Sequence, residues 1–206
     1  GLGTPGDALI GQWDLAWYYS AIRHELLSVE TQAATATQSP IVGESNASPT
    51  VHQGIEAGLN SVLWQGEAAG KVSLRQAYTF SDFHYRDDER FGSNQLPGVP
   101  KHYYQAEVRY DHLQGFYAGV NTQVASRMAG DYANSYYTSS YMLWGATLGY
   151  ASPKQDWHTW LDLRNLSNEH YAATVTPGYD DKGLDAARST PGEGRGAYVG
   201  VSYSFR

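Results

Sequence analysis

The residue types that most often do chemistry in proteins occur in this sequence, but their spacing does not assemble a catalytic or metal site. Seven histidines are spread along the chain, and none has another histidine four residues away, the helical spacing of a zinc site. There is no cysteine, so thiolate metal ligation and disulfides are both excluded. Serine, histidine and aspartate occur without a motif that would link them into a nucleophile and its base. We therefore predict no metal site, no cofactor and no enzymatic activity.

The better candidates for ligand contact are arginines and tyrosines between the predicted strands. Aromatic rings and guanidinium groups suit a planar anionic metal chelate, through stacking and bidentate pairing. The charge run from Arg86 to Arg90 is more typical of a solvated loop than of a binding cluster. The predicted substrate-contacting residues, all placed in loops, are Arg86, Arg90, Tyr132, Tyr136, Tyr137, Tyr179 and Arg188.

Composition narrows the class of protein further. The chain has 206 residues and a net charge of −7, which argues against nucleic-acid binding because that needs a basic face. Its mean hydropathy is −0.50, and no stretch reaches the roughly 18 apolar residues of a membrane helix. Strands that alternate apolar and polar residues would average to such a value even in a membrane. The chain begins at Gly1 without a signal peptide, and we expect it to be cut from a longer protein.

Apolar and polar residues alternate with a period of two along most of the chain, which predicts β-strands. In the first run Trp13, Leu15 and Trp17 alternate with Asp14 and Ala16. The eight runs are about ten residues or longer, the length that a tilted membrane strand requires. Their predicted bounds are 12–27, 51–64, 71–83, 101–112, 116–125, 140–151, 156–165 and 197–205.

Alternation alone does not tell a membrane barrel from a soluble one, because either arrangement gives the same pattern. Two further features favour lipid. Aromatic residues lie near the ends of the apolar faces, as interfacial girdles do, at Trp13, Tyr104, Tyr110, Phe116, Trp157 and Tyr203. The connections also alternate in length, with short ones at 65–70, 113–115 and 152–155 and long ones at 28–49, 84–100, 126–139 and 166–195. Short periplasmic turns and long outer loops predict an all-β, antiparallel up-and-down transmembrane β-barrel.

Three short motifs lie at or next to the ends of the predicted strands. Residues 94–102 read NQLPGVPKH, residues 161–171 read LDLRNLSNEHY, and residues 191–195 read PGEGR ahead of the terminal strand. These motifs resemble the barrel of TonB-dependent outer-membrane receptors of the ferric-siderophore type. The residues that carry the resemblance are Asn94, Pro97, Gly98, Pro100, His102, Asn165, Leu166, Tyr171, Gly192, Arg195 and Phe205. The family usually ends on the terminal aromatic residue, whereas Arg206 follows Phe205 here.

This resemblance implies that residues 1–206 are the C-terminal portion of a barrel of about 22 strands, its last eight, without the plug domain. It implies energised uptake of a scarce nutrient, most often a ferric siderophore, across the outer membrane of a Gram-negative bacterium. The implied partners are outer-membrane lipid, the siderophore, the TonB–ExbB–ExbD system through a missing N-terminal region, and the barrel-assembly machinery. The paired FRAP and NPNL signature of haem receptors does not occur in this sequence, which disfavours haem.

Two alternatives stay open at the level of the sequence. One is a small self-contained eight-stranded outer-membrane barrel with a structural or adhesive role, and the other is a soluble ligand-binding barrel. A closed barrel of eight strands has an interior filled by side chains. We expect instead an open, curved sheet whose first and last strands are unpaired edges.

Overall fold

The computed structural model describes residues 9–32, 37, 41–46, 49–154, 156–176 and 189–205. Their strands, in chain order, are β1 (Leu9–Ile22), β2 (Leu26–Gln32), β3 (Ile41–Asn46), β4 (Thr50–Gly66), β5 (Gly70–Tyr85), β6 (His102–Asp111), β7 (Phe116–Ala125), β8 (Tyr141–Ala151), β9 (Trp157–Arg164), β10 (Ala172–Val175), β11 (Ser189–Pro191) and β12 (Gly196–Tyr203). The predicted all-β class is confirmed. Within these ranges, no helix has the length and apolar character needed to cross a membrane.

Eight of these strands form one antiparallel sheet in the order β1-β4-β5-β6-β7-β8-β9-β12. Neighbours in the sheet follow one another along the chain, which is the up-and-down arrangement that the sequence predicts. The other four strands form two separate hairpins, β2 with β3 and β10 with β11. These hairpins lie within the connections from β1 to β4 and from β9 to β12.

The sheet is open at both sides. β1 lies at one edge and β12 at the other, and each has a single neighbouring strand among the described residues. A long unpaired edge presents a row of backbone N–H and C=O groups that can pair with a further strand. The expectation of an open sheet with two unpaired edges is confirmed.

One face of the sheet, called here the apolar face, carries large apolar side chains that remain exposed from edge to edge. The register places Trp17 opposite Ile55 and Ile55 opposite Phe80. At the other edge the exposed fractions reach 76 % for Val199 and 74 % for Val201. A soluble protein rarely leaves a contiguous apolar surface of this extent uncovered.

Polar residues also occur on the apolar face, and two of them, Gln76 and Thr122, find partners within the sheet. The hydroxyl of Tyr104 donates to Oε1 of Gln76 at 2.6 Å. Thr122 donates from its hydroxyl to the backbone oxygen of Leu143 at 3.0 Å. A polar group without water needs such a partner, so Gln76 can lie on the apolar face although it breaks the sequence pattern.

The connections differ in length between the two ends of the sheet. Short turns at 67–69, 112–115 and 152–156 join strands at one end, which we call the turn end. At the other, the loop end, the connections span 23–49, 86–101, 126–140 and 165–195. The predicted alternation of short and long connections is confirmed.

Two of the short turns require glycine. Gly70 has a φ of +96° and Gly115 a φ of +98°, in a region that residues with a Cβ rarely adopt. A Cβ on Gly70 would overlap the backbone oxygen of Asp111, and one on Gly115 would overlap that of Ala151. The backbone of the adjacent strand therefore passes directly against each turn.

Aromatic side chains of the apolar face form a row at the turn end. The ring centroids of Phe116 and Tyr150 are 4.7 Å apart, and those of Tyr150 and Trp157 are 5.0 Å apart. Tyr203 packs against Phe205 with centroids 4.8 Å apart. This row includes three of the six predicted girdle positions, Phe116, Trp157 and Tyr203, and has the placement expected for an interface between lipid and water.

The first predicted strand, 12–27, is wrong in its extent. β1 ends at Ile22, and the chain turns before β2 begins at Leu26 to pair with β3. His24 has a φ of +59°, a conformation that a strand residue does not adopt, and this explains the break. The other seven predicted strands agree with the structure to within two residues at either end.

Candidate functional site

The opposite face of the sheet, called here the polar face, carries charged and amide side chains. One cross-strand row runs from Asn60 through Arg75, Glu107 and Asn121 to Gly145. Nε of Arg75 donates to Oδ1 of Asn60 at 3.3 Å. Glu107 lies directly opposite Arg75, and unlike charges in this position attract.

A cavity of about 580 Å³ opens on the polar face. Two small residues, Ala77 and Gly145, line the cavity and leave space in it. Its charged lining residues are Arg75, Glu107, Asp162, Arg164 and Glu193, and the lining also includes the aromatic residues Trp144 and Tyr171. The cavity thus contains two guanidinium groups and three carboxylates. Such a lining favours a ligand that forms hydrogen bonds over an apolar or strongly anionic ligand.

Arg164 connects the wall of this cavity to the last loop. Its Nε donates to Oδ2 of Asp162 at 2.8 Å, and its Nη1 lies 3.9 Å from Oε2 of Glu193. The guanidinium carbon also lies 4.6 Å from the ring centroid of Tyr198 on β12. Arg164 therefore holds β9, β12 and the 165–195 connection in one arrangement.

A second network lies on the polar face at the turn end. The guanidinium carbon of Arg109 stands 4.0 Å from the ring centroid of Tyr117, and its Nε donates to Asp111 at 2.9 Å. The hydroxyl of Tyr117 lies 2.7 Å from Nε2 of His158. These contacts span β6, β7 and β9, so they stiffen the sheet where its connections are shortest.

Large aromatic side chains of the polar face lie over glycines of neighbouring strands. A Cβ on Gly54 would overlap the ring of Tyr18, and one on Gly149 would overlap the ring of Tyr117. Gly200 stands in the same relation to Trp160. These glycines leave the space that the rings fill, an arrangement that pairs an aromatic residue with a glycine across strands.

At the loop end, the 86–101 and 126–140 loops are fastened to each other. The side-chain amide of Asn134 donates to the backbone oxygen of Gln95 at 2.9 Å and accepts from its N–H at 2.9 Å. The N–H of Gly98 donates to the backbone oxygen of Ala129, also at 2.9 Å. The NQLPG segment thus holds one outer loop against the next.

A small hydrophobic core lies beneath these two loops. It consists of Tyr85, Leu96 and Tyr132, with Phe83 and Phe91 packed against it. Tyr132 is 3 % exposed, and burial raises the pKa of its hydroxyl. Asn94 donates from its side chain to the backbone oxygen of Tyr132 at 3.1 Å, which adds another bond between the loops.

Asp131 organises the 126–140 loop from within. Its side chain is fully buried and accepts from the N–H of Ser135 at 2.8 Å and from the Ser135 hydroxyl. Asn134 has a φ of +55°, as asparagine tolerates in turns. The Asp-x-x-Asn-Ser spacing is a recognisable turn signal, and it could have identified this role from sequence.

Hydrogen bonds around Asn165, which is 5 % exposed, join the beginning of the last loop to its end, and we call this group of bonds the clasp. The side-chain amide of Asn165 donates to the backbone oxygens of Glu169 and Glu193, both at 2.9 Å, and accepts from the N–H of Glu169 at 2.8 Å. The side chain of Asn168 accepts from the N–H of Arg195 at 3.0 Å. The NLSNE and PGEGR motifs, far apart in sequence, therefore form one unit.

Tyr171 and Gly192 complete this clasp. The N–H of Gly192 donates to the backbone oxygen of Tyr171 at 2.8 Å, and a Cβ on Gly192 would overlap the Tyr171 ring. That ring packs against Tyr141 at a centroid distance of 4.5 Å. Leu166 donates from its N–H to the backbone oxygen of Trp144 at 2.8 Å, which ties the clasp to β8.

The predicted substrate-contacting residues do not converge on one site. Tyr132 is buried in the loop core, and Tyr136 is half-buried with its hydroxyl donating to the backbone oxygen of Gly130 at 2.8 Å. Tyr137 is 39 % exposed beneath the guanidinium of Arg127, which lies 4.7 Å from its ring centroid. Arg86 and Arg90 are exposed on the neighbouring loop, the latter 5.2 Å from the ring of Phe91. Tyr179 and Arg188 lie outside the described residues.

The other motif residues lie near strand ends. Pro97 and Pro100 precede β6, where a missing N–H does not interrupt strand pairing. Nδ1 of His102, the first residue of β6, lies 2.8 Å from the hydroxyl of Tyr78. Phe205 follows β12 and is 90 % exposed. The described part of the chain contains no cluster of three or more His, Asp or Glu side chains that could hold a metal ion.

Comparison with known proteins gives consistent results. The family model described as TonB dependent receptor-like, beta-barrel matches residues 5–166. A curated relative, the probable TonB-dependent siderophore receptor PiuA of Acinetobacter baumannii, is 25 % identical over 216 residues, which are 99 % of this chain and 26 % of that protein. The chain thus spans about a quarter of the length of this relative.

Solved structures share the fold. The siderophore receptor PiuA from Acinetobacter baumannii aligns with a TM-score of 0.64 and 22 % identity, over 93 % of this chain and 26 % of that one. The copper transporter OprC aligns with a TM-score of 0.69 and 15 % identity, over 94 % and 29 % of the two chains. The ferric citrate transporter FecA, in its unliganded form, aligns with a TM-score of 0.66 and 17 % identity, over 91 % and 28 %.

These proteins are receptors and transporters rather than enzymes, and their family is one of outer-membrane barrels of Gram-negative bacteria. The alternation of apolar and polar faces, the unpaired edges of the described sheet and the fastened pair of loops agree with that architecture. Since the family model covers well over half of the sequence, this chain belongs to the TonB-dependent receptor β-barrel family.

Proposed function

We propose that this chain is the C-terminal part of the barrel wall of an outer-membrane receptor in a Gram-negative bacterium. The apolar face carries the proposal, because it leaves residues such as Trp17 and Val199 more than 70 % exposed. Hydrocarbon chains cover such a face, and the row formed by Phe116, Tyr150 and Trp157 lies at the boundary with water. The polar face then borders the lumen.

Closure of the wall requires further strands on both sides. Among the described strands, β1 and β12 each have one unpaired edge, and an exposed edge of this length is stable in a membrane only when it is paired. A self-contained eight-stranded barrel would pair β1 with β12, so the open sheet supports the larger receptor. By family resemblance that barrel has about 22 strands around a plug.

The substrate proposed for the complete receptor is a ferric siderophore. The curated relative is named a siderophore receptor, and the loop end of this chain offers exposed arginine and tyrosine side chains such as Arg86 and Tyr137. Uptake through a plugged barrel requires energy, which the TonB–ExbB–ExbD system would supply through a part of the receptor outside this chain. The aromatic residues at and just after the end of β12, Tyr203 and Phe205, would be read by the barrel-assembly machinery.

Uptake by the complete receptor tests this function directly. A strain lacking the gene is supplied with radioactive iron as hydroxamate, catecholate and carboxylate siderophores in turn, and cell-associated iron is counted. We expect loss of uptake for one of these chelates, restored by the intact gene only when TonB is present. Unchanged uptake of all three chelates in the deletion strain, under iron limitation that induces the gene, would contradict the proposal.

Tyr137 tests the part played by the loops. Tyr137→Ala removes an exposed ring, whereas Tyr137→Phe retains the ring and removes only the hydroxyl. If the ring stacks on the chelate, the first variant binds it about fivefold to tenfold more weakly and the second binds normally, as expected for about 1 kcal/mol of stacking. Tyr136 is less suitable for this test because its hydroxyl bonds to Gly130 and its loss would loosen the loop.

A further inference from the structure

Two glutamines lie directly opposite each other on the polar face, Gln105 on β6 and Gln123 on β7. Both line the cavity of about 580 Å³ on that face. The lining of the same cavity includes Asn165 and Glu193, which the clasp joins in the last loop. The glutamine pair therefore lies where the wall of strands meets the loop end.

A single tyrosine hydroxyl orients both glutamine side chains. Nε2 of Gln105 donates to the hydroxyl of Tyr103 at 3.0 Å, and this hydroxyl donates to Oε1 of Gln123 at 3.3 Å. In the described part of the chain, Oε1 of Gln105 and Nε2 of Gln123 form no hydrogen bond. Turning both amides over would exchange their two roles and would again leave one acceptor and one donor. The pair thus presents an acceptor beside a donor to the cavity.

An acceptor beside a donor is the complement of a peptide backbone. The N–H and C=O of one extended residue point to the same side, as they do toward a neighbouring antiparallel strand. The side chains of Gln105 and Gln123 belong to residues directly opposite each other, whose Cβ atoms are about 5 Å apart. One residue of a bound peptide can therefore donate to the first glutamine and accept from the second.

The charges of the cavity restrict the ligand further. Its charged lining groups are two guanidinium groups and three carboxylates. Nε of Arg164 donates to Asp162 at 2.8 Å, and Arg75 lies directly opposite Glu107 on the neighbouring strand. Each guanidinium group thus already has a carboxylate near it, so a ligand with several negative charges would be repelled by the lining as a whole.

The chemical classes of ferric siderophore differ in both of these features. Three hydroxamates neutralise one iron(III) ion, whereas three catecholates around the same ion leave a trianion. Hydroxamates can also be carried on a peptide, whose N–H and C=O groups remain available for hydrogen bonds.

We propose that Gln105 and Gln123 bind the peptide backbone of an uncharged ferric hydroxamate, and that the substrate of the complete receptor belongs to this class. The inference rests on the proposed function, in which the polar face borders the lumen, and it names the class of siderophore. Tyr103 holds the two amides in the orientation that the peptide requires.

Binding to the complete receptor in detergent is measured by the quenching of its tryptophan fluorescence with three probes. The first is ferrichrome, an uncharged trihydroxamate on a cyclic peptide. The second is iron(III) in excess acetohydroxamate, which is uncharged and has no peptide, and the third is ferric enterobactin, a catecholate trianion. We expect ferrichrome to bind more tightly than either of the others, and about 25-fold more tightly than the acetohydroxamate complex, as two hydrogen bonds would give.

Gln123→Leu removes the amide and nearly keeps the size of the side chain. It should weaken ferrichrome binding about fivefold, and the Gln105→Leu/Gln123→Leu double variant should weaken it about 25-fold, whereas neither should alter binding of the acetohydroxamate complex. The control, Gln12→Leu, makes the same change on the polar face of β1, outside this cavity. It should alter ferrichrome binding by less than about twofold, which is below the effect of one hydrogen bond.

The outcomes separate this inference from the proposed function. Failure of the receptor to bind any of the three ferric chelates contradicts the proposed function. Tighter binding of ferric enterobactin than of ferrichrome contradicts this inference alone, as does equal binding of ferrichrome and the acetohydroxamate complex. An equal loss of binding in Gln12→Leu would remove the role of position. Unchanged ferrichrome binding by the double variant, together with a lower unfolding midpoint, would show that the glutamines contact another part of the receptor instead.

Discussion

An arginine placed on the apolar face should destabilise the protein, whereas the same residue on the polar face should not. Val120 lies in the middle of β7, between Val108 and Ala146 of the neighbouring strands, and is 51 % exposed. Asn121 is the next residue and points to the opposite face, where Glu107 lies across from it. Val120→Arg and Asn121→Arg therefore differ in environment and in little else.

The magnitude follows from the burial of each side chain in lipid. An arginine near the middle of the bilayer destabilises a membrane barrel by about 2–4 kcal/mol. Loss of the valine adds about 1 kcal/mol, since about half of this side chain would otherwise contact hydrocarbon. We expect Val120→Arg to lower the free energy of unfolding by about 3–5 kcal/mol and Asn121→Arg to change it by less than about 1 kcal/mol.

Urea titration of the complete receptor folded in phospholipid vesicles, followed by tryptophan fluorescence, gives both values. The comparison depends on the two variants unfolding with the same dependence on urea as the unmodified protein. Equal destabilisation by the two substitutions would show that both faces meet the same environment. In that case the apolar face does not contact lipid, and the assignment to a membrane wall is refuted.

Three further changes test the loops and a turn. Asn134→Ala removes both hydrogen bonds between the side chain of Asn134 and the backbone of Gln95, and it should lower the free energy of unfolding by about 2 kcal/mol. Protease should also cleave the 86–101 loop faster, and an unchanged cleavage rate would disprove that these bonds hold the two loops together. Asn165→Ala should expose the last loop to protease in the same way, and resistance equal to that of the unmodified protein would rule out the clasp. The Ser152 hydroxyl lowers the pKa of Asp156 below its ordinary 3.8, so this carboxylate stabilises the fold above that pH and loses its effect as the pH falls through the lowered pKa. Asp156→Asn should therefore reduce the unfolding midpoint at neutral pH and leave it unchanged in strong acid, and a difference that persists in acid would refute the pairing.

The strands of the main sheet could be predicted from sequence because one local rule determines them. A strand that separates lipid from a polar lumen must alternate, and β7 shows the rule with Val120 and Asn121 on opposite faces. Gln76 breaks the alternation without breaking the strand, since Tyr104 supplies the missing partner. Tyr104 lies on another strand, so the local sequence around Gln76 does not show this hydrogen bond.

The hairpins and the loop contacts could not be predicted for the same reason. β10 and β11 have four and three residues, too few for a period to be recognised. Asn134 and Gln95 are 39 residues apart, and nothing in either segment alone specifies that they pair. Only the turn chemistry of Asp131 was locally readable, from its spacing to Asn134.

Several of the residues that carry the family resemblance hold the loops in place, and this bears on how specificity arises. The backbone of Gly98 bonds to the 126–140 loop, the side chain of Asn165 bonds within the last loop, and Gly192 packs beneath Tyr171. Side chains engaged in this way have few donors or acceptors left for a ligand, so their motifs define the position of the loops. Solved structures whose names specify copper or ferric citrate share the fold with this chain. A fold shared by proteins with different named substrates agrees with specificity that lies in the contact residues. Substrate selectivity would then depend on exposed positions between the motifs, of which Tyr137 is the best placed among the described residues.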